Sequence, residues 1–217
     1  GEAVFRLSDY FREDPLGFLP LARSLARRRY TLERCPGPEL LGSSRVEERK
    51  AIARILDERS ARMSAENRKD LGLLNRVDPW FGAAERIFFF AREPRGSIEG
   101  YASFQPVFRG GQVTGYFAAE YFRASDSRAG VIEFLLVEAM RVLHRGNPEL
   151  EVSLGLCPLA LLPETRTGRI LGGWVYRSMK RPLSLRGLYQ FKAKLRPTEW
   201  RPLYLASNRG LGLPLIR

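Results

Sequence analysis

The chain has 217 residues, 44% hydrophobic and 28% charged, enough for one large domain or two small ones and too apolar for wholesale disorder. Basic residues outnumber acidic ones 36 to 24, and the net charge of +12 points to an anionic partner, either a nucleic-acid backbone or an anionic membrane surface. A single histidine, His144, and two isolated cysteines, Cys35 and Cys157, argue against a Ser-His-Asp triad, a histidine-rich metal site and a disulfide framework.

Both cysteines read as reduced packing residues of a cytoplasmic protein. No apolar run reaches the roughly 18 residues of a spanning helix, and the acidic-then-polar start is not a signal peptide. The chain opens on Gly1 rather than Met, as an excised domain of a larger protein would. Residues 10–30 form a basic helix-prone stretch closing on Ala26–Tyr30, and Cys35-Pro36-Gly37-Pro38 reads as a linker. That division gives an N-terminal helical segment with its linker, 1–38, and a main domain, 39–217.

Ser44 and Glu47 have capping-box spacing. The helix they predict runs to about Met63, with Val46, Ile52, Ile55, Leu56 and Met63 inward and a solvated Glu/Arg face. Ile87–Ala91 is a short continuous apolar run, the signature of a buried strand. After a turn at Pro94–Ser97, Ile98–Phe108 and Val113–Phe122 read as a hairpin about Arg109–Gln112. An amphipathic helix from Gly130 to about Arg145 turns Val131, Phe134, Leu135, Val142 and Leu143 to one side, and Gly146-Asn147-Pro148 stops it. Glu151–Leu156 is a further buried strand that runs into Pro158. Periodicity alone therefore gives a mixed α/β (α+β) fold.

Four blocks concentrate the chemistry. In Gly115–Arg123 (GYFAAEYFR), Glu120 and Arg123 lie three apart at a strand end, where α/β folds place their sites. An acid there suits general-base work and an arginine suits a phosphate or carbonyl oxygen; a surface ion pair between the two is the structural alternative. The loop Ser125–Gly130, with Arg128 and Gly130, leads to a helix N-terminus that can offer backbone N–H groups to an anion. In Ser153–Leu162 (SLGLCPLALL), Gly155 permits close approach to the strand end and Pro158 turns the chain away from the sheet. In Arg186–Trp200, Leu188, Phe191 and Leu195 have helical spacing, with Lys192 and Lys194 projecting away from that apolar face. These are two of only five lysines in the chain. Tyr116, Ser153 and Tyr189 of these blocks, with Arg201 at the head of the next block, Arg201–Ala206 (RPLYLA), complete the candidate binding set.

These blocks resemble the C-terminal catalytic domain of the phosphatidylglycerol lysyltransferases, the multiple peptide resistance factors, over roughly residues 98–206. Glu-Tyr-Phe-Arg at 120–123 stands where the family has Asp-Leu-Met-Arg. Residues 154–160 follow its Leu-Gly-Leu/Met-Ala-Pro-Leu-Ser segment, departing at Cys157 and Ala160. Residues 191–206 follow its Phe-Lys-x-Lys-Phe, Pro, Trp and Arg-Tyr-Leu order, with Leu195 for the second Phe and Leu203 inserted.

The resemblance implies a GNAT-like acyltransferase fold, a central mixed sheet flanked by helices. It implies transfer of an amino acid from aminoacyl-tRNA to the hydroxyl of phosphatidylglycerol or a related lipid, with no metal and no cofactor. Glu120 would deprotonate that hydroxyl or hold the donor's α-amino group, Arg123 would bind a phosphate, and Lys192 would offset transition-state charge. The implied setting is the inner face of the cell membrane, and the implied partners are aminoacyl-tRNA, the lipid and a membrane domain of a parent protein. The family carries two tandem GNAT-like halves, and this chain has length for one plus a helical N-terminal portion. Two other readings stand beside it: a GNAT N-acyltransferase using acyl-CoA, for which the single-glycine loop at Gly130 is incomplete, and a non-catalytic module binding tRNA or anionic membrane.

Overall fold

In a computed structural model of the chain, the described residues are 1–62, 78–157 and 185–203. Their strands are β1 (Glu2–Arg6), β2 (Thr31–Pro36), β3 (Ile87–Arg92), β4 (Ile98–Arg109), β5 (Gln112–Arg123), β6 (Glu151–Leu156) and β7 (Glu199–Arg201). They form one mixed sheet in the order β2-β3-β4-β5-β6-β1-β7. Every neighbouring pair is antiparallel except β5 and β6, which run parallel and are joined through a helix, as parallel neighbours require. The helices are α1 (Leu7–Tyr10), α2 (Pro20–Arg27), α3 (Gly37–Leu41), α4 (Val46–Arg62), α5 (Val131–Gly146) and α6 (Leu185–Lys194).

Because the sheet is covered on both faces, β3 needs apolar residues at consecutive positions. Phe89 and Ala91 enter one core with Ala102, Phe104, Leu135 and Met140, under α5 and α2. Phe88 and Phe90 enter a second with Tyr101, Ile52, Ile55 and Leu40, under α4 and α3. The hairpin, the α5 helix and β6 lie where periodicity puts them.

The N-terminal region departs from expectation. Residues 1–38 supply β1 and β2 to the same sheet as the rest, and helix occupies only parts of 10–30, broken by a 3-10 turn at Pro15–Gly17. The expected linker is the end of β2 and the start of α3: Cys35 is fully buried opposite Phe88, and Gly37 donates to the Arg86 carbonyl at 2.8 Å. Pro36 and Pro38 are tolerated because one ends an edge strand and the other lies in a helix's first turn. Ser44 is a turn residue, since a 3-10 turn at Ser43–Arg45 runs directly into α4, and Val46 is exposed. Met63 lies outside the described residues.

The polar face of α4 is only partly solvated. Glu48 is buried between Arg45 and Arg92, at 3.2 and 2.6 Å, and Arg92 also reaches Glu33 at 2.6 Å. Arg45 closes on Glu33 and Glu39, and Arg49 on the Leu40 and Gly42 carbonyls.

Two irregularities shape the middle of the sheet. The parallel ladder between β5 and β6 covers only Gly115–Phe117 against Glu151–Ser153 and then ends, so the two strands are unladdered beyond it. Between β4 and β5, Ala118 faces Phe104 and Glu120 faces Ser103, leaving Ala119 as an unpaired bulge. A one-residue shift exchanges the two faces of a strand. Ala118 thus stays in the α5-side core, whereas Glu120 and Phe122 turn to the α4 side with Tyr101.

Candidate functional site

Glu120 lies on that α4 side, 5% exposed. Its Oε1 accepts from Arg86 Nη1 at 3.2 Å, and its Oε2 accepts from the Tyr101 hydroxyl and Ser103 Oγ, both at 3.4 Å. Burial lifts its pKa above the ordinary carboxylate value, opposed by the Arg86 charge and by the three hydrogen bonds. The Arg86 Nε is buried with no partner among the described residues. The ion pair of Glu120 with Arg123, the structural alternative to a functional role, does not form. Arg86, Tyr101 and Ser103 escape the sequence reading; the one local signal was an arginine abutting the buried run Ile87–Ala91.

Arg123 is exposed at the end of β5, where its Nη1 donates to the Ser127 carbonyl and Oγ, both at 3.0 Å. It opens onto a shallow cleft of about 300 Å3 lined with Arg59, Arg62, Tyr121, Phe122 and Ile132. The Arg59 guanidinium lies 4.5 Å from the centre of the Phe122 ring.

Across the opened strands, Lys192 joins two of the sequence blocks. Its ammonium donates to the carbonyls of Leu154 (2.8 Å), Gly155 (2.9 Å) and Leu156 (2.9 Å). All three protons are thereby engaged, so α6 is tied to the end of β6. Lys192 is no solvated helix-surface lysine; it is 2% exposed, and burial pushes its pKa down to about 8. Gly155 allows this convergence with a φ of +74°, and a Cβ there would lie 2.8 Å from the Phe117 ring. Ser153 Oγ accepts the Gly155 N–H at 2.9 Å and bonds the Glu2 carboxylate.

The remaining candidates disperse. Lys194 pairs with Glu133 at 2.7 Å and Arg201 with Glu151 at 3.0 Å. Tyr189 stacks on Trp200 with ring centres 5.3 Å apart. Tyr116 is half-buried opposite Val152. Pro158 lies outside the described residues. The anion cradle expected at Ser125–Gly130 is occupied by the protein itself. Gly130, with φ +94°, is so close to α2 that a Cβ would fall 2.7 Å from that of Leu21. Arg128 gives its backbone N–H to the Glu99 carboxylate at 3.4 Å, and Glu99 also accepts from the Tyr30 hydroxyl at 2.8 Å. Among the described residues, no group of three or more His, Cys, Asp or Glu is placed to hold a metal ion.

The sequence matches the profile of a family described as phosphatidylglycerol lysyltransferase, C-terminal, over residues 26–207. Among solved structures it is similar to L-PGS from Bacillus licheniformis, with 17% identity and a TM-score of 0.67 over 99% of this chain and 61% of that one. It is also similar to the C-terminal domain of a lysylphosphatidylglycerol synthetase of Agrobacterium fabrum, with 19% identity and a TM-score of 0.62 over 90% and 56%. A tandem GNAT protein of clavulanic acid biosynthesis is more remote, with 12% identity and a TM-score of 0.40 over 79% and 47%. Individually curated proteins give no sequence match. The chain spans about three fifths of the two nearer structures. Its mixed α/β fold is the one seen in those two structures.

Proposed function

Since the chain belongs to the family of phosphatidylglycerol lysyltransferase C-terminal domains, we propose that it moves an aminoacyl group from aminoacyl-tRNA to a hydroxyl of phosphatidylglycerol. The family match carries this reading, because the matched span 26–207 contains Glu120 with its partners, Arg123 and the Lys192 clamp. In the reaction the lipid oxygen bonds to the ester carbonyl carbon, the bond to the ribose oxygen breaks, and the proton of the lipid hydroxyl ends on that oxygen. Glu120 is the acid–base group: its raised pKa favours accepting a proton, and its long 3.4 Å contacts leave Oε2 the less firmly held oxygen. Arg123 holds a phosphate. Lys192, with every proton engaged, acts by holding the end of β6 rather than by meeting the reacting ester.

The occupied cradle weighs against acyl-CoA as donor. A pyrophosphate at the start of α5 would have to displace Leu21 and meet the Glu99 carboxylate. No helix among the described residues is long and apolar enough to cross a membrane, and the +12 charge suits work at the inner face of an anionic membrane, beside a membrane domain of a longer parent protein. The test is incubation of the protein with labelled aminoacyl-tRNAs and separate pools of phosphatidylglycerol, other lipids and acyl-CoA. Label in an aminoacylated phosphatidylglycerol is expected. Transfer only from acyl-CoA, or tRNA and vesicle binding with no transfer, would overturn the reading in favour of one of its rivals.

A further inference from the structure

The inward face of α4 changes character along its length. Positions 52, 55, 59 and 62 lie on one side of a helix. The first two are isoleucines buried in the α4-side core, but the last two are Arg59 and Arg62, which line the cleft at the end of β5. Neither forms an ion pair within 4 Å among the described residues, although the same helix pairs Lys50 and Arg54 with acids. Glu58, the acid beside them, is turned to the Ser125 N–H at 2.7 Å and to Arg54 at 3.6 Å. Arg123 uses one nitrogen on Ser127 and adds a third guanidinium. Tyr121, Phe122 and Ile132 make the rest of the lining apolar. Three arginines with unused donors around a small, partly apolar hollow match a phosphodiester that carries an apolar continuation.

The geometry points to this cleft as the seat of the acceptor lipid's phosphodiester, with Arg59 and Arg62 as headgroup-binding residues beside Arg123. The assignment rests on the transfer reading above and names which surface takes the lipid. A terminal tRNA nucleotide fits less well. Bases bind on open aromatic faces, yet Arg59 covers Phe122, and Tyr121 is stacked with Phe191 at 6.1 Å between ring centres. The cleft, about 300 Å3, is also at the small end for a ligand pocket.

The experiment compares wild type, Arg62→Ala and Arg59→Lys. Its probes are monomeric dihexanoylphosphatidylglycerol, the matching diacylglycerol without a phosphodiester, and an aminoacylated tRNA. Wild type is expected to bind the phospholipid and not the diacylglycerol. Losing one arginine–phosphate contact should raise the Kd and KM for the phospholipid about tenfold, leaving the KM for aminoacyl-tRNA and the melting temperature unchanged. Arg62 ends an exposed helical turn, so its variant folds; Arg59→Lys keeps the charge and tests the planar contact. Unaltered lipid affinity in both variants refutes the assignment. A raised KM for aminoacyl-tRNA alone refutes it as well and gives the cleft to RNA. Arginine-dependent lipid binding without any transfer leaves the cleft standing and removes the transfer reading, so the two fail separately.

Discussion

The two ends of α4 use the same residue type in opposite ways. At its N-terminal end, Arg45 and Arg49 meet carboxylates and backbone carbonyls, and Glu48 joins them to Arg92 in a half-buried network. At its C-terminal end, Arg59 and Arg62 form no ion pair within 4 Å among the described residues; Arg59 lies over the Phe122 ring and both line the open cleft. The contrast teaches that the excess of basic residues is not one property. A cation whose donors are consumed inside the fold is a structural fastener, as Lys192 also is, and only those with donors left over can serve a partner.

The most severe test of that division is Lys192→Met. It leaves two buried carbonyls and a partly exposed third without their donor and should destabilise the fold by about 3–5 kcal/mol, read by urea denaturation. A loss below about 1 kcal/mol would show that Lys192 is no fastener. At Glu120, the proposed acid–base group, Glu120→Gln should lower the transfer rate by roughly 10²-fold, and Glu120→Asp should restore much of it. Because Arg86 loses its counter-charge, the Gln variant should also melt earlier, so rates are compared well below both melting temperatures. If the Gln variant melts earlier but transfers normally, Glu120 belongs with the fasteners.

Glu48→Gln should cost about 2 kcal/mol, since Arg45 and Arg92 lose their shared acid. Lys192 adds a pH dependence. Its pKa is about 8 in the folded chain against an ordinary 10.5, so between those values the unfolded chain holds a proton that the folded chain has released. This contribution therefore makes stability rise with pH across that window, and the gap between wild type and Lys192→Met should widen from pH 8 to 10. A gap that narrows would contradict the lowered pKa. Arg62→Ala sits at the other extreme, with a stability change within about 0.5 kcal/mol; a larger loss would make Arg62 structural too.

Much of the central sheet was legible because its signals are local. Ile87–Ala91 has the length and composition of a strand buried on both faces, and the turn at Arg109–Gln112 lies between two apolar runs. The N-terminal third was less so. Glu2–Arg6 and Thr31–Pro36 become strands only by pairing with β6, β7 and β3, whose paired residues lie 51 to 199 positions away. The prolines and glycine at 36–38 break helices wherever they occur, and nothing nearby shows that they end an edge strand. In the candidate site, the residues that contact Glu120, Arg123 and Lys192 could not be read from their own blocks, because Arg86, Tyr101, Ser103, Ser127 and the β6 carbonyls reach them through the sheet and the loops.

Sequence by itself determined the elements from Ile87 to Leu156, the basic surplus and the blocks that carry the family likeness, because each depends on residue type and short-range spacing. Tertiary structure alone decided what those residues do. The bulge at Ala119 turns Glu120 from the α5-side core toward Arg86, Tyr101 and Ser103. The fold brings Lys192 to three carbonyls 36 to 38 positions away. It also lays Leu21 over the start of α5, where Gly130 alone reads as an anion site. Pairing register and long-range packing set these contacts, and neither is written in any single stretch of the chain.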